Sequence, residues 1–484
     1  MYKFLNPFSA SLLMTLLLAG CAVGPEYRRA DVLVPDHFKE ASLSAEDAKM
    51  WQEAQPKDAL SRGRWWAIFE DPALDSLQEE AARANQDLKA AAARVKQARA
   101  LRASAQSERF PTLDASAGPS RQRRSAVAMG LEDGAPTSTE TLWRAQLGAS
   151  YEADLFGRVA SQVDAASADA QQSQALFESL KLALQADVAQ NYFLIRRLDA
   201  ELALYDQTVE LRSKTLNLVE ERYRAGDIGE LDVARSRTAL ASAKSEALGI
   251  QRERSVAEHS LATLLGKPPS EFSLDTNPLG RIPVNIPAGL PSSLLERRPD
   301  IAAAERAMAA ANARIGAARA AYFPRLTLTG AMGYESSELG NLLQWSSRTF
   351  LLGPLVGSIL SLPIFDGGRR EADVERARAR YEEEVASFRQ TVLQAFREVE
   401  DGLASVRILG EQTQVQDMAV DQAARAAQLS QIQYREGSVS YLDVIDADRE
   451  VLVQKRASVR LDGDRALAAV ALIRAIGGGW DLEG

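Results

Sequence analysis

Asp443 and Asp446 stand three residues apart where an apolar-periodic segment begins, so on a helix their carboxylates share one face. Like charges at that spacing raise one another's pKa and draw cations, the chemistry of a charged constriction. Asp232 occupies the matching place in the first half of the chain. A structural role competes: Ser440-Tyr441-Leu442-Asp443 has the spacing of a capping box, and Asp446 can pair with Arg449 one turn on. No other residues point to a reaction. His37 and His259 have neither a ligand-spaced nor a nucleophilic companion, and no Gly-rich phosphate loop stands out. One cysteine is too few for a disulfide framework or a zinc site. No catalytic residue, metal ligand or cofactor is expected, and the chain reads as a non-enzyme.

The elements that carry these aspartates occur twice. Tyr223-Arg224-Ala225-Gly226-Asp227-Ile228-Gly229-Glu230-Leu231-Asp232-Val233 returns 211 residues later as Tyr434-Arg435-Glu436-Gly437-Ser438-Val439-Ser440-Tyr441-Leu442-Asp443-Val444. Phe156-Gly157-Arg158 is echoed by Phe365-Asp366-Gly367-Gly368-Arg369, and Phe110-Pro111-Thr112-Leu113 by Phe323-Pro324-Arg325-Leu326. A period this long marks a duplicated half-protein rather than an array of short repeats.

Proline placement separates the halves. Residues 137–267 and 364–484 contain none, whereas seven of the 18 prolines fall in Pro268–Pro299. Proline breaks helix interiors, so the empty stretches permit very long helices and the crowded one reads as an irregular connector. Phe177, Leu180, Leu184, Val188, Tyr192 and Ile195 recur at steps of three and four, as do Tyr381, Val385, Phe388, Val392, Phe396 and Val399. That spacing is a seam for helix-on-helix packing. The helix expected over Val159–Tyr223 would be about 100 Å long. Gly226 and Gly437 sit where left-handed C-caps belong, and fresh helices restart near Leu231 and Leu442, running to about Leu265 and Ile476. Each half thus holds a helical hairpin with a tight tip.

From Trp143 to Leu155 apolar and polar residues alternate with period two, the mark of a strand with two unlike faces. Leu113–Gly118, Leu326–Tyr334 and Leu355–Ile364 are further candidate strands, with Pro119–Glu140 and Glu335–Thr349 as the loops between them. Such strands fit an outer-membrane barrel, but four cannot close one, since about eight is the minimum. Either the chain oligomerises or the strands belong to a soluble sandwich.

A 46% hydrophobic composition is globular, and a net charge of −9 argues against a nucleic-acid surface. Lys3 precedes an apolar run from Phe8 to Ala19 that ends at Leu18-Ala19-Gly20-Cys21. That run has secretory-signal length and is too short to span a bilayer. It resembles a bacterial lipoprotein box, which implies a diacylglycerol and an N-acyl chain on Cys21; the other reading is a plain signal peptide with an incidental cysteine. In lipoproteins an aspartate after the cysteine favours inner-membrane retention, so Ala22 points to the outer membrane.

Several segments carry a wider resemblance. They are Gly20–Tyr27, Trp65-Trp66-Ala67-Ile68-Phe69-Glu70-Asp71-Pro72-Ala73-Leu74, Tyr151–Arg158, Leu294-Leu295-Glu296-Arg297-Arg298-Pro299-Asp300-Ile301, Ala320–Pro324 and Leu362–Arg370. Taken together they resemble the outer-membrane efflux proteins of Gram-negative bacteria, the tunnel-forming lipoproteins that complete tripartite pumps. The resemblance implies a mixed α and β fold and a homotrimer. Its 12-stranded outer-membrane β-barrel would continue into a 12-helix periplasmic α-barrel, with four strands and two long helical hairpins per chain. It implies a periplasmic adaptor (membrane fusion protein) and an inner-membrane transporter of the resistance-nodulation-division type as partners. It also places the closed periplasmic aperture at Asp443 and Asp446, with Asp232 as counterpart. Some members carry an arginine where Val439 stands, so that lock is missing here. Tyr223, Gly226, Tyr434 and Gly437 become candidate adaptor-docking tips, with turn formation alone as the competing role.

The expected organisation is a signal peptide at 1–20, a lipidated extension at 21–70 and a first half at 71–267. A Pro-rich connector at 268–296, a second half at 297–476 and a tail at 477–484 follow. The expected function is a passive exit duct for drugs or small toxic molecules in the outer membrane. The alternatives are a duct for peptide or protein secretion and a periplasmic coiled-coil lipoprotein that serves as a spacer.

Overall fold

A computed structural model of the chain describes residues 23–35, 38–40, 63–280, 297–352 and 360–478. The expected signal peptide, the expected lipid acceptor Cys21 and His37 lie outside the described residues. Helix α1 (Pro72–Ala84) starts from Asp71, whose Oδ1 accepts the Ala73 and Leu74 amides at 2.9 and 3.3 Å, with proline at the first helical position. Asn85 ends α1, and its Oδ1 accepts the Leu88 amide at 2.9 Å to start α2 (Gln86–Ser107). Strands β1 (Thr112–Arg123) and β2 (Thr139–Ala153) follow, then the hairpin of α3 (Arg158–Arg224) and α4 (Glu230–Leu264). The second half supplies α5 (Pro299–Ala320), β3 (Arg325–Ser336), β4 (Arg348–Leu352), β5 (Leu360–Ser361), α6 (Arg369–Arg435) and α7 (Tyr441–Ala475).

The duplication read from the motifs is carried by whole elements. Helices α3 and α6 have 67 residues each, α4 and α7 have 35 each, and α2 and α5 have 22 each. The chain divides into two compact units, each drawn from both halves. One comprises residues 1–31, 95–173 and 304–388; the other comprises 32–94, 174–303 and 389–484.

The first unit contains the sheet, in the order β1-β2-β3-β4, with β5 pairing the same β3 strand further along. All pairings are antiparallel. Two expectations shift here. β1 continues to Arg123, beyond Gly118, because β2 extends the ladder to the Arg123–Thr139 pair. Alternation does not reveal this, since residues 119–123 are Pro-Ser-Arg-Gln-Arg and hold no strongly apolar member in period. β4 begins at Arg348, inside the expected loop, and of the expected Leu355–Ile364 strand residues 355–359 lie outside the described residues while Leu360 and Ser361 form β5. At the sheet-to-helix junctions Phe156 stacks on Phe323 with centroids 4.7 Å apart, joining motifs from the two halves.

The second unit holds the long helical core. Val188, Tyr192, Ile195 and Leu198 of α3, Val392 and Val399 of α6 and Val470 and Ile473 of α7 are buried, as the three-four seams require. Buried charges tie its irregular segments down. Asp199 accepts Arg254 at 2.6 Å, Arg196 at 3.2 Å and the Asn277 amide of the connector at 3.0 Å. Arg298, from the motif that opens the second half, reaches Asp300 at 2.6 Å, Glu398 at 2.7 Å and the Ala475 carbonyl at 2.8 Å. Desolvating such ions is costly unless they are well paired, so removing one partner strands the other.

Candidate functional site

The two hairpin tips meet within the second unit. α3 ends in a 6→1 and 5→2 cap: Gly226 has φ +83°, its amide donates to the Tyr223 carbonyl at 3.0 Å, and the Asp227 amide donates to the Arg222 carbonyl at 3.0 Å. α6 repeats the cap at Gly437, φ +76°, whose amide donates to the Tyr434 carbonyl at 3.1 Å, while the Ser438 amide donates to the Gln433 carbonyl at 2.8 Å. A side chain at either glycine would meet no neighbour within 4 Å, so the positive φ alone selects glycine.

Val219 and Val233 of the first hairpin pack with Tyr441 and Val444 of the second, flanked by Ile228, Tyr434 and Ile445. Arg222 Nη1 donates to the Tyr434 hydroxyl at 2.7 Å, and the Tyr434 and Tyr441 rings lie 5.5 Å apart. The tips are therefore joined by an apolar cluster and one charge-assisted hydrogen bond. Arg222 is not among the expected site residues. Its signal lies in the repeat, because the equivalent position is Gln433, and only one tip can supply this guanidinium. Tyr434 lies in this contact, whereas Tyr223 is exposed.

The expected aspartates separate by environment. Asp443 Oδ2 accepts the Ser440 amide at 2.9 Å and the Ser440 hydroxyl at 2.6 Å, so the capping arrangement forms. Those bonds from Ser440 hold the Asp443 carboxyl below the ordinary range. Asp446 is exposed, and among the described residues no ion pair joins it to Arg449. The first tip differs: Asp232 pairs with Arg235 at 3.7 Å, and Arg235 is the repeat equivalent of Asp446. Acidity therefore concentrates on the second tip. Two residues beyond Asp446, Asp448 is partly buried and accepts Gln431 Nε2 at 3.2 Å. Burial pushes its carboxyl up.

The sheet, in the first unit, is a separate candidate surface. Its register aligns Ala115, Leu147, Met332 and Phe350 across four strands on one face. Leu147, Met332 and Phe350 are 58%, 65% and 77% exposed, as is Leu113 on the same face at 79%. The opposite face aligns Ser116, Gln146, Gly333 and Thr349, then Arg144 beside Glu335, joined at 2.5 Å. Among the described residues β1 pairs only with β2 and β4 only with β3, so both sheet edges are open. No helix among them is long and apolar enough to cross a membrane.

Comparison with known proteins agrees with this arrangement. The outer membrane efflux protein family matches residues 77–267 and 290–478. The chain is 34% identical over 480 residues to the toluene efflux pump outer membrane protein TtgI of Pseudomonas putida, covering 98% of this chain and 99% of that one. It is 34% identical over 477 residues to the outer membrane protein OprJ of Pseudomonas aeruginosa, covering 98% and 96%. The solved structure of the outer-membrane channel OprN superposes with a TM-score of 0.84 at 30% identity, covering 95% of this chain and all of that one. With both halves matched and full-length relatives aligned from end to end, the chain belongs to the outer membrane efflux protein family.

Proposed function

We propose that three copies of this chain join edge to edge into a 12-stranded outer-membrane barrel continuous with a 12-helix periplasmic one. The assembly is the passive exit duct of a tripartite efflux pump. One observation carries the reading: a sheet whose apolar face is bare and whose two edges are open. A bare apolar face suits lipid, and open edges suit closure by identical copies. The efflux-pump name of TtgI and the channel title of OprN support the same role. In this reading a lipid on Cys21 anchors the chain, and an adaptor and a resistance-nodulation-division transporter dock at the periplasmic end. Small toxic molecules are the cargo.

The second tip is the proposed gate. In the trimer, Asp443 and Asp446 form two stacked acidic rings, with Asp232 on the neighbouring tips. The apolar tip cluster and the Arg222–Tyr434 bond hold it shut. Tyr223, Gly226, Tyr434 and Gly437 shape the surface that the adaptor meets. Single-channel recording in planar bilayers tests the duct and the gate together. The wild type should conduct weakly and be blocked by divalent cations, and replacing Asp443 and Asp446 with Ala should raise conductance and relieve the block. A purified trimer that carries no ion flux would overturn the duct, and unchanged conductance in the double variant would overturn the gate.

A further inference from the structure

We propose that Arg121 and Arg123, at the end of the sheet remote from the helix junctions, bind the phosphate headgroup of an outer-leaflet lipid. β1 follows α2 and β2 leads into α3, so the junctions lie at the Thr112 and Ala153 end. The register carries the apolar face away from them. Beyond the Ala115 row, Ala117, Ala145, Tyr334 and Arg348 align, and then Pro119 aligns with Trp143. Arg121 opposite Thr141 and Arg123 opposite Thr139 complete the face, both arginines exposed. Greasy residues thus give way to an aromatic band, and the band to guanidinium and hydroxyl groups.

The two faces treat arginine differently. On the polar face Arg144 meets Glu335 at 2.5 Å, and Arg124, just past β1, reaches Glu140 at 3.8 Å and Glu335 at 3.7 Å. On the apolar face, among the described residues, no carboxylate lies within ion-pair distance of Arg121, Arg123 or Arg348. Arg123 donates to the Thr137 hydroxyl at 2.9 Å, and Arg348 donates to the Trp345 carbonyl at 2.8 Å. One such bond leaves most of a guanidinium's donors unused. That segregation selects the occupant. Anions from water could reach either face, whereas cations left unpaired on the lipid side alone suit an anion held in the lipid plane. An aromatic band followed by cations is also the order in which acyl chains give way to headgroups. Arg121 and Arg123 stand about 7 Å apart along the strand, close enough for both to grip one phosphate. Guanidinium forks bind phosphate through paired hydrogen bonds.

The inference rests on the reading of the sheet as an outer-membrane wall, and the experiment separates the two. The full lipidated chain in detergent micelles is titrated with an acylated glucosamine disaccharide bearing two phosphates, with its dephosphorylated counterpart and with inorganic phosphate. Native mass spectrometry counts the bound lipid, and planar bilayers report ion flux. The phosphorylated lipid should bind about tenfold more tightly than the dephosphorylated one. Arg121→Gln with Arg123→Gln should erase that preference, while the backbone pairing of β1 keeps the sheet and the flux intact. Arg124→Gln, which removes a paired charge from the polar side, should keep the preference. Equal binding of the two lipids, a preference that survives the double variant, or an equal loss in Arg124→Gln would overturn the site. Displacement of the lipid by an equal concentration of inorganic phosphate would make it a free-anion site and overturn the lipid assignment. Flux without lipid preference would leave the membrane-wall reading standing, and absence of both would remove the two together.

Discussion

Asp443 and Asp448 lie five residues apart on one helix and respond to pH with opposite signs. Hydrogen bonds from Ser440 hold the Asp443 carboxyl below its ordinary value, so its contribution is present above about pH 4 and lost as pH falls through the folded value. Asp443→Ala should therefore lower the Tm at pH 7 and make no difference at strongly acidic pH. Burial raises the Asp448 carboxyl, so the folded protein holds that proton more tightly than the unfolded chain. Ionising it costs stability as pH rises from about 4 through the folded value. Asp448→Asn keeps an acceptor for Gln431 and should raise the Tm at pH 7, with the gain vanishing below about pH 4; thermal melts across that range check both signs. Gly437→Ala forces a Cβ into positive φ where no neighbour lies close enough to offset the strain, and should cost about 1–2 kcal/mol at the tip by denaturant titration. The capping spacing and the glycine caps are legible in the sequence directly. The unlike environments of Asp443, Asp446 and Asp448 are not, because they depend on what α6 and α3 bring alongside.

At the scale of elements, the long helices are legible because their signals are local. Absence of proline, unbroken three-four seams and a terminal glycine place the ends of α3 within a residue of those observed, and the repeat carries the same bounds to α6. The strands are less legible. Alternation locates β2, but the outer part of β1 is polar and is held by its ladder to Thr139–Leu142, a non-local cause. The contact between tips is hidden for the same reason, because the partners Val219 and Tyr441 are more than two hundred residues apart. Tip closure should depend on that contact. Tyr434→Phe keeps the ring and removes the bond from Arg222, so it should raise open probability in single-channel records while leaving helix content by circular dichroism unchanged. Arg222→Gln, which makes the first tip like the second, should have the same effect.

For the whole molecule, duplication supplies two hairpins of equal length but unequal tips. One aspartate of the first is neutralised by Arg235, while the second carries Asp443 and Asp446 together. Under the proposed assembly, neutral and acidic tips alternate around the axis. The proposed lipid anchor on Cys21 is tested separately. Cys21→Ser should abolish incorporation of radiolabelled palmitate and leave unprocessed precursor in the membrane fraction, visible as a slower band.

The open rims of the sheet have a cost during biogenesis. A newly exported copy crosses an aqueous compartment with two rows of unsatisfied amides and a greasy face, and any extended peptide it meets can add to them. Pro119 blunts one rim at a single position by lacking an amide hydrogen. Under the proposed trimeric assembly the remainder has to be shielded by an escort until two further copies arrive, so the yield of mature protein should be governed by periplasmic chaperone supply more than by the stability of the helices.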